Sequence, residues 1–158
     1  MRQLKLFQGY CIDTSALIDL KKEYPQDIFP SVWKDLENLI SNGLLIAPRQ
    51  VLEELKKIED ELLKWVRKRK GMFRELNINQ IKDVKDILNR FPKLVDADKP
   101  GPHADPFVIA LALTESCTVI TSEHSGTPDK PKIPDVCAHY GVKCLSLLEF
   151  FREQGWEY

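Results

Sequence analysis

Four short apolar runs alternate with stretches of helical periodicity, and this alternation most narrows the folds open to the chain. The runs are GYCI (9–12), LLIA (44–47), TVIT (118–121) and VKCL (142–145). They are continuous rather than alternating in polarity, as strands covered on both faces are. Helical patterns fill 15–22, 28–42, 48–69, 78–91, 105–116, 134–140 and 146–154. Asn42-Gly43 and Gly141 stand immediately before strands, where helices stop. The pattern predicts an α/β fold with three layers, α/β/α, around a mainly parallel central sheet. A length of 158 residues fits one domain, 1–158, with a helical insertion around 56–92 between the second and third strands.

Composition excludes several classes. The chain is 43% hydrophobic and 30% charged, enough apolar content for a core and unlike a disordered segment. No apolar stretch is long enough to cross a bilayer, and residues 1–7 lack a signal-peptide layout. Cys11, Cys117, Cys137 and Cys144 form no CxxC pair, which fits reduced thiols in a cytoplasmic protein. The net charge of −1 rules out nucleic-acid binding by global field alone. The basic charge is instead local: KWVRKRK places Lys64, Arg67, Lys68, Arg69 and Lys70 in one stretch. Such a run is either a solvated helix end, favoured by the helix dipole, or a grip for RNA phosphates.

Ligands of open parallel sheets gather at the carboxyl ends of the strands. Asp13 directly follows the first run, and Glu123 follows TVIT after one serine. Asp105 begins the helix that feeds that later strand, with Asp as N-cap and Pro106 in the first turn. The helix after the second strand offers Glu53 and Glu54. Val51, Leu55, Ile58 and Leu62 form its apolar stripe, so Glu54 flanks the buried side and Glu53 faces away. Each acid has a plain structural use as a cap or surface group. Converged, the four would repel one another unless a cation sat among them. An all-oxygen set suits Mg²⁺ or Mn²⁺, and no Cys/His spacing suits zinc.

IDTSALI, APRQVLEEL, ADPFVIALAL and VITSE together resemble the PIN-domain superfamily of metal-dependent ribonucleases. The closing KIPDVCAHYGVKCLSLLEFF looks like a bacterial PIN-like family, and the likeness runs from about residue 10 to the C-terminus. It implies a PIN-like fold with Asp13, Glu54, Asp105 and Glu123 as metal-binding catalytic acids. Glu123 stands where the superfamily usually has aspartate, and Asp135 is its rival for the fourth position. Thr14 and Ser15 beside the first acid are implied to hold a ligand or a water. Small bacterial PIN proteins are often toxins of toxin–antitoxin pairs. The implied partners are therefore RNA and a cognate antitoxin, with a homodimer as a further arrangement.

Other readings compete. A dinucleotide-binding domain needs a Gly-rich turn after its first strand, and IDTSAL has none. A haloacid-dehalogenase-like phosphatase needs a second aspartate two positions after the first, where Ser15 stands. A receiver domain needs a lysine after the last strand. A PIN-like scaffold that binds a partner without catalysis stays open, because Glu123 departs from the pattern. His103 and His124 receive no role, and Trp33, Trp65 and Trp156 are expected to pack between helices.

Overall fold

The computed structural model describes residues 9–58 and 60–158. Residues 1–8, the start of the expected domain and the stretch read for a leader, lie outside them, as does Glu59 within the expected 48–69 helix. In chain order the described elements are β1 (Tyr10–Ile12), α1 (Thr14–Glu23), α2 (Pro30–Ser41) and β2 (Leu45–Pro48). There follow α3 (Arg49–Lys56), α4 (Glu61–Arg67), β3 (Phe73–Arg74), α5 (Ile78–Arg90) and α6 (Asp105–Glu115). β4 (Thr118–Ile120), α7 (Ile133–Tyr140), β5 (Cys144–Leu145) and α8 (Leu147–Gln154) close the chain.

The sheet has the order β3-β2-β1-β4-β5, and every pairing is parallel. Its centre is in register at Tyr10 with Leu45 and Thr118, and at Cys11 with Ile46 and Val119. Alternation along β1 separates the two helical layers. Tyr10 packs its ring on Phe150 of α8, whereas the Cys11 thiol donates to the Val108 carbonyl of α6. On the first side, ring contacts join Tyr24 to Phe151, and Trp33 of α2 to Trp65 of α4. On the second, α6 packs against β1, β2, α5 and α7. α6 is apolar nearly all round, as its central position requires, with Val108, Ile109, Ala110, Leu111 and Ala112 buried.

Three expectations need correction. The helix expected over 48–69 is two helices, α3 and α4. Asp60 starts the second, its carboxylate accepting from Leu62 and Leu63 N–H. Ile58, expected in the core stripe, is 45% exposed in the break between them. The insertion is not purely helical, because Phe73 and Arg74 add an edge strand in register with Ala47 and Pro48. Two residues carry too little pattern to announce a strand. Asp105 is not an N-cap; that position is Ala104, and Asp105 is the first helical residue.

The chain passes from β1 outward to β3, then returns to β4 on the other side of β1. The direction of progression therefore reverses between β1 and β4, and the crevice at the carboxyl ends of these two strands is where such sheets take ligands.

Candidate functional site

Asp13 directly follows β1 at this crevice and is 1% exposed. It caps α1 by accepting the Ala16 N–H at 2.8 Å, so the cap role and the position at the site coexist. The Ser15 hydroxyl lies 2.9 Å from both carboxylate oxygens, and the Thr121 hydroxyl donates to Oδ2. Burial pushes the Asp13 carboxyl up to about 7, with Glu123 repulsion adding to it and these hydrogen bonds opposing it. Ser15 also accepts the Ser122 N–H at 3.1 Å, tying the α1 start to the end of β4.

Glu54 and Glu53 lie as the helix phase predicts. Thr14 donates to Glu54 Oε1, and the Ala104 N–H donates to Oε2 at 3.2 Å. Glu54 thereby links the starts of α1 and α6. Glu53 instead pairs with Arg49 at 3.4 Å and Lys56 at 3.1 Å on the outer side. Glu123 accepts the first N–H of α7, from Ile133, at 3.1 Å.

Asp105 differs from the other three. Its carboxylate accepts no hydrogen bond among the described residues. Burial pushes it up to about 8, helped by the charges of Glu123, Asp13 and Glu54 and opposed by Lys132. Glu54, Asp105 and Glu123 line one open cleft of about 540 Å³, with Thr14 and Ser15 on its wall. The four acids expected to converge therefore share one electrostatic site.

Two expected participants are elsewhere. Asp135 is bound to the backbone N–H groups of Gly126 (2.7 Å) and Lys132 (2.8 Å), which hold its carboxyl below the usual range. It organises the loop before α7 and does not line the cleft. The basic stretch lies along a separate groove between α2 and α4. Lys64 pairs with Glu61 at 3.3 Å, and Arg69 pairs with Glu37 at 3.2 Å while stacking 4.0 Å above the Trp65 ring. Lys68 lines that groove, and Arg67 and Lys70 are exposed; none of the five lines the acid cleft. Trp33 and Trp65 are buried edge to face, as packing groups.

Sequence reasoning missed Thr121, which is buried against Asp13, and the cations of the cleft, Lys57 and Lys99. Thr121 is the final residue of TVIT, one step before the serine and acid that drew attention. Among the described residues, no group of three His, Cys, Asp or Glu side chains stands ready to hold a metal ion. Asp13, Glu54 and Glu123 each accept a backbone N–H, and of the four acids only Asp105 has no such partner among the described residues. The donor chemistry still fits a hard cation. All four groups are carboxylates, and Mg²⁺ takes one or two carboxylates and keeps several waters.

The chain belongs to the family described as Domain of unknown function (DUF4411), whose model matches residues 10–158. No curated protein matches the chain. Among the described residues, no helix is long and apolar enough to cross a membrane.

Proposed function

We propose that this member of the DUF4411 family is a divalent-metal-dependent endoribonuclease of PIN-like type, acting as the toxin of a toxin–antitoxin pair. One observation carries the chemistry: the Asp105 carboxylate, without a hydrogen bond among the described residues, lines one cleft with Glu54 and Glu123 and feels their charges and that of Asp13. Four carboxylates with Lys132 as their opposing charge are a site that a cation would relieve. The motifs IDTSALI and ADPFVIALAL support the PIN-like reading, and with it RNA as substrate and an antitoxin as partner.

Asp105 would hold the ion, with Glu54, Glu123 and Asp13 contributing directly or through water. A bound Mg²⁺ or Mn²⁺ would lower the pKa of a coordinated water and neutralise charge growing on a phosphate. The chain's own residues supply the positioning. Ser15, Thr121 and the Ala16 N–H fix Asp13, and Thr14 and the Ala104 N–H fix Glu54. These donors hold the acids in place against their mutual repulsion.

The hydrogen bonds that occupy Asp13, Glu54 and Glu123 favour a second reading, a binding scaffold without catalysis. Incubation of the protein with an RNA pool and Mg²⁺ or Mn²⁺, with and without chelator, separates the two. The nuclease reading expects ion-dependent cleavage and an ion-induced rise in melting temperature, both lost in Asp105→Asn. Cleavage that ignores chelator, or none with any RNA, refutes it.

A further inference from the structure

We infer that Lys57 and Lys99 form the phosphate grip of the acid cleft, holding single-stranded RNA in place of the basic stretch over 64–70. This inference rests on the nuclease reading above. A polyanion approaching four carboxylates needs local cations, because a net charge of −1 supplies no general attraction. The stretch over 64–70 does not meet that need, since it lies along another groove and Lys64 and Arg69 are held in ion pairs.

Lys57 does. It follows Glu54 by three residues, the spacing that sets two side chains on one helix face, and it closes α3 at the C-cap position. It lines the same cleft as Glu54, Asp105 and Glu123. Its ammonium makes no ion pair among the described residues; its partner is the Pro100 carbonyl at 3.4 Å. The next residue, Gly101, has φ +102, and a Cβ there would overlap the Lys57 ammonium. Glycine here meets the need for a backbone conformation that L side chains rarely adopt, and the exposed end of Lys57 lies against it.

Lys99 stands on the same loop, two residues before Gly101, also lining the cleft and also without an ion pair. The loop carries two acids: Asp96, which also lines the cleft, accepts the Asp98 N–H at 3.0 Å, and neither Asp96 nor Asp98 forms an ion pair with a lysine among the described residues. The two lysines thus line the same cleft as Glu54, Asp105 and Glu123 without a carboxylate partner among the described residues. A cleft of about 540 Å³ matches a small-ligand site, which suits a nucleotide unit of a single strand and not a duplex.

The test measures cleavage kinetics of a short single-stranded RNA with Mn²⁺, together with its binding by anisotropy across a salt series. The variants are the double substitution Lys57→Gln/Lys99→Gln, and Lys85→Gln on the exposed face of α5 as a control. In the double variant KM should rise about tenfold while kcat stays within about twofold, and two lost phosphate contacts should flatten the logarithmic salt slope by about 1.4. Lys85→Gln should match wild type. Wild-type cleavage with unchanged KM and salt slope in the double variant overturns the grip alone. Lysine-dependent RNA binding without cleavage under either metal overturns the nuclease reading alone. A wild type that does not bind RNA at low salt overturns both.

Discussion

Replacing Asp105 with asparagine should stabilise the metal-free protein, and the gain should grow with pH. An unfolded aspartate ionises near 3.8, whereas folding holds Asp105 protonated up to about 8. The folded state therefore binds more protons across this window, so stability falls as pH rises from about 4 to about 8 and levels off above it. At 1.36 kcal/mol per pH unit, the full displacement corresponds to roughly 6 kcal/mol. That figure is a ceiling. The cleft opens to water and Lys132 opposes the three acids, so an effective gain of about 2 kcal/mol is expected at pH 8.5. For a chain of this size that gain raises the melting temperature by roughly 4–8 °C.

The assay is urea unfolding in EDTA between pH 5 and 9, followed by tryptophan fluorescence. Asp13, raised to about 7, gives both proteins a common decline up to that pH. The difference between them should be small near pH 5 and largest above pH 8. A variant less stable than wild type at pH 8.5, or a difference independent of pH, would refute the account of Asp105 as a destabilising member of an acid cluster.

Two other substitutions test the neighbours. Glu54→Gln should abolish ion-dependent cleavage, whereas Glu53→Gln, which removes exposed pairs worth under about 1 kcal/mol, should leave cleavage near wild type. The reverse order in RNA cleavage assays would refute the placement of the site on the Glu54 face. Thr121→Val removes the hydroxyl that donates to Asp13 and accepts the Glu123 N–H at 3.0 Å. It should cost about 1–3 kcal/mol in chemical denaturation, with the larger cost above pH 7 where Asp13 is ionised, and a cost independent of pH would disprove the charge-assisted bond.

The parts of this fold that a reader of the sequence can see are those set by patterns several residues long. The strands β1, β2 and β4 appear as apolar runs because both faces are covered, and α6 appears as a central helix because it is apolar all round. The Glu54 and Glu53 assignment follows from helix phase, which Val51 and Leu55 set locally. What escaped depends on one or two residues or on distant partners. Asp60 divides one periodic stretch with a single cap, and β3 has only Phe73 and Arg74 to mark it. Thr121 shows its use only once β4 stands beside β1, which brings it to Asp13 from 108 positions away. The basic stretch shows the opposite gap. Charge density is visible in sequence, but the Glu37 and Glu61 partners of Arg69 and Lys64, and the groove that Lys64, Lys68 and Arg69 line, come from packing. Lys57 and Lys99, unremarkable as isolated lysines, gain meaning because they line the same cleft as Glu54, Asp105 and Glu123. An acidic site for a polyanion is thus better sought through the cations that line its own cleft than through the densest basic run, since exposed charges more than a Debye length from the phosphate are largely screened.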